Sequence, residues 1–142
     1  MKTIEHITNK KELEDYLNEV DKDFNTPLSN KISISIFASK LVEYGKVFVI
    51  KENKETLAMI GFYCNDTITH KAYLTILSTK ERARGKGYAR LLITKMISIC
   101  KENKMQHIYC DSVNPIAISL YKSFGFTEYK KEENKSYLEL KL

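Results

Sequence analysis

"HKAYLTILSTKERARGKGYARLLITKMISIC", residues 70–100, carries a strand, a basic glycine turn and a helix in succession. Residues 70–79 read as a strand. Ala89, Leu92, Met96 and Ile99 then recur at spacings of three, four and three, which predicts an amphipathic helix over residues 87–102. Between the two, Arg82, Arg84, Lys86 and Arg90 crowd around Gly85 and Gly87. The first N–H groups of a helix lack internal partners, and the helix dipole favours negative charge there. Glycines let an oxyanion approach the backbone closely, and Arg and Lys add positive charge at neutral pH. The turn is therefore either an anion cradle or a solvated basic loop. It lacks the Lys-Ser or Lys-Thr step of a Walker A loop and the third glycine of the dinucleotide fingerprint.

Upstream, residues 2–8 alternate as a first strand, and Leu13, Leu17 and Val20 sit at helical spacing over residues 9–20, with Thr8 or Asn9 as cap. "ISISIF" alternates like a strand, yet Ile36, Lys40 and Tyr44, with Phe37 and Leu41, follow a helical stripe. The stripe predicts a helix over residues 35–44, ended by Gly45. "KVFVIK", "ENKE" and "TLAMIGFYC" make a hairpin, which joins the strand at 70–79 through the turn "NDT". Downstream, "HIYCDSV" is a strand, and Asn114 caps a short helix that begins with Pro115 and stops at Gly125. "FTEYKK" and "SYLELKL" pair around "EENK". The order is β-α-α-β-β-β-α-β-α-β-β. It predicts an α/β (α+β mixed) fold, a mixed sheet of seven strands with four helices on its two faces.

The chain has 142 residues, so one domain over residues 1–142 is expected. It is 43% hydrophobic and 29% charged, which excludes a disordered class. The net charge of +5 suits an anionic ligand, but RNP-type strands and zinc spacings are missing, so no nucleic-acid partner is expected. His6, His70 and His107 are scattered and give no metal-binding pattern. Cys64, Cys100 and Cys110 form no CxxC pair and read as packing. The first nine residues lack a signal-peptide core, and no apolar run reaches the ~18 residues that span a bilayer. A cytoplasmic setting without a membrane partner is expected.

Arg84-Gly85-Lys86-Gly87-Tyr88-Ala89 resembles the Arg/Gln-x-x-Gly-x-Gly/Ala signature of the GNAT superfamily of acetyltransferases. The signature also fits Arg82-x-x-Gly85-x-Gly87, but the later register puts its last residue inside the helix. A second stretch, "NPIAISLYKSFGF", resembles the family's following motif, with Asn114, Ala117, the Leu120-Tyr121 pair and a Gly-Phe strand start. Two motifs about 30 residues apart, in an element order that also agrees, make the resemblance cover essentially the whole chain.

The resemblance implies an N-acetyltransferase with acetyl-CoA as cosubstrate. The backbone N–H groups of Arg84, Gly85, Lys86, Gly87, Tyr88 and Ala89 would cradle the pyrophosphate. Leu77, Ser78 and Thr79 would offer backbone groups to the pantetheine arm, with the Leu77 N–H polarising the thioester carbonyl. Tyr121 would give the departing thiolate its proton. Asn114 either caps its helix or also hydrogen-bonds the pantetheine. An acceptor amine with a pKa near 10 is protonated roughly a thousandfold over at pH 7, so its proton must go somewhere. His70, at the start of the central strand, is the candidate base, with Asp111, Tyr73, Asp66, Tyr109 or water alone as competitors. The acceptor is a small or peptidic amine. Phe24, Phe37, Tyr44, Asp21 and Asp23 are candidates for its pocket and equally for core or surface. The resemblance also implies a homodimer. The alternatives are an acyl-CoA-binding module without catalysis and a small nucleic-acid-binding domain.

Overall fold

The computed structural model describes residues 1–24 and 26–142. The strands are β1 (Lys2–His6), β2 (Lys46–Glu52), β3 (Glu55–Tyr63), β4 (Lys71–Thr79), β5 (His107–Ser112), β6 (Thr127–Glu132) and β7 (Lys135–Lys141). The α-helices are α1 (Lys10–Val20), α2 (Ile34–Tyr44), α3 (Tyr88–Glu102) and α4 (Pro115–Ser123). One sheet runs β1-β2-β3-β4-β5-β7-β6, antiparallel throughout except for the β4–β5 pair. The predicted fold class and element order are those found. Among the described residues, no helix is long and apolar enough to cross a membrane.

The central strands are buried on both faces, which is why "VFVI" and "AMI" read as unbroken apolar runs. Val47, Val49, Met59 and Ile76 pack under α1 and α2, against Leu13, Leu17, Ala38 and Leu41. Phe48, Ile50, Ala58, Ile60 and Leu74 face the other way, against Leu92, Ile93 and Met96 of α3 and Tyr121 of α4. The edge strands β1 and β6 are exposed along their length.

The stripe expected on α2 is corrected. The Ser33 hydroxyl accepts from the Ile36 N–H and starts the helix at Ile34. That register turns Ile34, Ala38 and Leu41 inward and leaves Ile36 71% and Tyr44 54% exposed. Gly61 on β3 lets Leu41 lie on the sheet: a Cβ there would sit 2.7 Å from Leu41 Cδ2 and 2.9 Å from Ile76 Cγ2. Helix α3 begins at Tyr88, one residue later than expected, because Gly87 adopts a left-handed conformation with φ of 80°.

Filling the Gly61 site should be costly. Gly61→Val is expected to lower stability by about 1–3 kcal/mol, the usual range for overpacking, as read from the urea midpoint at constant m-value.

Candidate functional site

Strands β4 and β5 pair only over residues 71–73 and 107–109. Beyond Tyr73 and Tyr109 they part. Residues 74–79 keep only β3, and Cys110, Asp111 and Ser112 keep only β7. The β3–β4 ladder slips at the same level: Phe62 faces Leu74, Gly61 faces Ile76, and Thr75 is left over. Such a bulge sharpens strand twist. The opening lies at the carboxyl ends of two parallel strands, where open sheets commonly receive ligands. A helix follows each strand, so the starts of α3 and α4 flank the mouth.

The turn into α3 is built to leave its amides free. The Ala83 N–H donates to the Lys80 carbonyl at 2.8 Å, and the Arg84 N–H to the Glu81 carbonyl at 3.2 Å. Gly85 then takes φ of 82° and Gly87 of 80°, and a Cβ on either would meet no atom within 4 Å. Conformation, not crowding, therefore selects glycine here. The first bond of α3 runs from the Leu91 N–H to the Gly87 carbonyl at 3.1 Å. Among the described residues, the N–H groups of residues 85–90 thus have no backbone partner, and α3 has no side-chain cap and no acidic residue in its first turn. Asn9, Ser33 and Asn114 cap the other three helices.

Most of the basic side chains at the turn are engaged. Arg82 pairs with Glu55. The Arg84 Nε donates to the Thr79 carbonyl at 3.1 Å and so braces the turn on the end of β4. Arg90 donates to the Ser123 hydroxyl at 3.1 Å and stacks on Phe124. Among the described residues, Lys86 makes no salt bridge. Lys80, which chain spacing did not single out, is buried with its ammonium 2.7 Å from Glu19 and 3.5 Å from Glu55. Its ammonium also lies over the Tyr16 ring, so α1, β3 and the turn meet on one charge. The Tyr88 side chain points away and donates to Glu52 at 2.9 Å, leaving only its backbone at the turn. Ala89 is half-buried just inside the helix.

Leu77, Ser78 and Thr79 are half-buried on the unpaired stretch of β4. The Ser78 hydroxyl lies 3.2 Å from the Tyr16 hydroxyl. Tyr121 is buried on α4, with its ring 5.7 Å from that of Phe126. Burial first, then the neighbouring Cys110, Asp111 and Tyr73, holds its phenol above the usual tyrosine range. Asn114 does cap α4: its Oδ1 accepts from the Ile116 N–H at 2.9 Å and the Ala117 N–H at 3.4 Å. The capping leaves its Nδ2 amide as the group with donors to spare.

His70 precedes β4 with φ of 56°, and its Nδ1 lies 3.1 Å from the Lys104 carbonyl. It sits at the end where β4 and β5 are still paired. Leu77 lies about 23 Å along the strand from it, at 3.3 Å per residue. The open end thus gathers the turn, Leu77, Ser78, Thr79, Asn114 and Tyr121, while His70 stands at the other end. A pair absent from any local motif also lies at the opening: the Tyr73 hydroxyl donates to Asp111 Oδ2 at 2.7 Å. The two residues are 38 apart in the chain, so only the parallel register could reveal them. Cys110 is buried, and burial and then Asp111 push its thiol up to about 12, far from a reactive thiolate.

The tyrosines set an alkaline limit on stability. Burial pushes Tyr16 up to about 12, and Tyr121 is also raised. Both keep their protons in the folded state at pH values where the unfolded phenols, near 10, have lost theirs. Their contribution is full below about pH 10 and is lost as pH rises through the folded values. Urea midpoints should hold steady below pH 9.5 and fall above about pH 10, and the fall should be shallower in Tyr121→Phe.

A model of the acetyltransferase (GNAT) family matches residues 10–126. No curated protein matches the sequence. Solved structures with this fold include IAA acetyltransferase from Bacillus cereus, with a TM-score of 0.75 at 16% identity over 100% of both chains. The ribosomal-protein-S18-alanine N-acetyltransferase from Escherichia coli gives 0.79 at 19% identity, over 99% of this chain and 94% of that one. A GNAT family acetyltransferase from Elizabethkingia anophelis with acetyl-CoA bound gives 0.74 at 14%, over 99% and 98%. At these identities the likeness is one of fold.

Proposed function

Because the chain belongs to the acetyltransferase (GNAT) family, we propose that it moves an acetyl group from acetyl-CoA to a primary amine by direct attack in a ternary complex. The observation that carries this reading is the uncapped start of α3 beside the opening between β4 and β5. Free amides from Gly85 through Ala89 form the cradle for the pyrophosphate, whereas the Arg84 N–H, expected among them, is spent on the Glu81 carbonyl. Lys86 adds an unpaired charge, and Arg84 holds the turn in place through Thr79. The edge of β4 at Leu77, Ser78 and Thr79 that β5 leaves open receives the pantetheine arm, and Asn114 donates to it from Nδ2. A β4 amide, that of Leu77, stabilises the oxyanion as nitrogen adds to the thioester carbon. The carbon–nitrogen bond forms, the carbon–sulfur bond breaks, Tyr121 passes its proton to the thiolate, and the proton that the attacking nitrogen loses on becoming an amide returns to the Tyr121 oxygen through water. A phenol held in its neutral form by burial suits that role.

The reaction belongs to one domain of residues 1–142 in the cytoplasm. The exposed edge strands β1 and β6 support self-association through a strand edge.

Calorimetry with acetyl-CoA tests the cradle. A left-handed φ costs a residue other than glycine about 1–2 kcal/mol, so Gly87→Ala is expected to weaken binding about tenfold. Folded wild-type protein that releases no heat with acetyl-CoA would reject the reading. Tyr121→Phe is expected to lower turnover by roughly 10²–10⁴-fold while acetyl-CoA affinity stays within about twofold. Turnover unchanged at every pH would remove Tyr121 as the acid. Tight acetyl-CoA binding without thioester loss across an amine panel would instead indicate a binding module.

A further inference from the structure

We infer that Tyr73 and Asp111 form the seat of the acceptor's ammonium group, and that the Asp111 carboxylate takes the proton the amine sheds before attack. This inference rests on the acetyltransferase reading. Tyr73 is the last β4 residue in register with β5, and Asp111 lies two residues beyond its partner Tyr109, on the same face. Their 2.7 Å hydrogen bond therefore spans the apex of the opening. On β5, Ile108 and Cys110 belong to the core under α3 and α4, so Asp111 points to the opposite face. Tyr121 lies on the α4 side, close enough to feel the charge of Asp111. A proton donor and a proton acceptor thus stand on the two sides of one gap, which suits an amine entering from one side and a thiolate leaving on the other.

The structure already seats a primary ammonium at this point. The Lys135 Nζ lies 3.4 Å from Asp111 Oδ1, the oxygen that Tyr73 leaves free. The Lys135 side chain is 41% exposed, and exposed pairs of this kind hold only weakly. An incoming alkylammonium can displace it. The neighbouring rings also take such cations: Lys130 lies 5.2 Å from the Tyr137 ring centre and Lys71 lies 5.6 Å from that of Tyr109. The acceptor class is accordingly an aliphatic primary amine on an unbranched chain, as in a polyamine or a lysine side chain. In water an ammonium does not readily give its proton to a carboxylate. Filling the opening removes water from both charges and favours the neutral pair. The N–H bond breaks, an O–H bond forms on Asp111, and the freed lone pair attacks the thioester carbon.

Other charges bear on this seat. From β4 and β3 these are Lys71 and Tyr63, and from the same strand His107 and Tyr109. From β7 they are Lys135, Tyr137 and Glu139, and from β6 Tyr129 and Lys130. Cys110 and Tyr121 lie across the gap. Only a change that follows Asp111 itself identifies the seat.

The test uses n-butylammonium as probe on the full chain saturated with coenzyme A, followed by amide chemical shifts. Shifts centred on Tyr73 and Asp111 are expected in the wild type, lost in Asp111→Asn and strengthened several-fold in Lys135→Met. Shifts that survive in Asp111→Asn, or that centre on His70, overturn the proposal. With acetyl-CoA and n-butylamine as substrates, Asp111→Asn should lose about 100-fold in kcat/KM near pH 7, the scale of general-base catalysis. The deficit should shrink as pH rises past about 10.4, where the neutral amine comes to predominate, and a pH profile parallel to the wild type also overturns it. Loss of acetyl-CoA binding in the wild type would defeat the acetyltransferase reading instead, and the same n-butylammonium titration on the full chain without coenzyme A then decides the seat: shifts at Tyr73 and Asp111 that vanish in Asp111→Asn uphold it, and their absence overturns it.

Discussion

Three residues of β4 pair with β5, and then the two strands separate. The rest of the site depends on that separation. It exposes one edge of β4 over residues 74–79 in the middle of the sheet, where a full ladder would have consumed it. Unpaired backbone groups are costly when buried and must find water or a ligand. The parting is held from both sides by packing. Leu92, Ile93 and Met96 of α3 lie in the same core as the β2–β4 strands, and Tyr121 and Phe126 close the side of β5. The bulge at Thr75 bends the strand where its neighbour leaves it.

The charge of the glycine turn is divided between two duties. Arg82, Arg90 and the buried Lys80 are tied to Glu55, Ser123 and Glu19, and these ties fix the turn against α1, β3 and α4. A buried ammonium left without a carboxylate would be strongly destabilising, and Glu19, with Glu55 beside it, supplies that charge to Lys80. What remains for an anion is chiefly the backbone: a row of amides with no partner, at the positive end of a 15-residue helix. Amides fixed by glycine geometry need no rearrangement when an anion arrives, whereas surface arginines must first be ordered.

The two faces of the opening differ in chemistry. Behind it, on the side of α3 and α4, the surroundings are apolar and hold Tyr121 neutral. In front, β5, β6 and β7 present tyrosines, lysines and acids that, among the described residues, no helix covers, because the strands that pack beneath α1 and α2 are β2, β3 and β4. An apolar wall suits an acyl thioester, and a wet, charged face suits an amine that must arrive protonated.

Much of this was legible in the chain. The 3.6-residue period of α3, the strand before it and the glycines between them fixed the main crossover, because periodicity and left-handed backbone preference are local properties. The two family motifs were equally local, since each lies within one turn and one helix start. Caps at Asn9 and Asn114 were readable for the same reason, whereas α2 was misread at Ile36 because a competing cap, Ser33, set its register. The parting of β4 from β5, the burial of Lys80 and the contact of Tyr73 with Asp111 were decided only by tertiary structure. Each joins residues 25 to 61 positions apart across strands and helices. No period or motif along the chain records which strand edges stay paired, because that is settled by how the helices fill the two faces of the sheet.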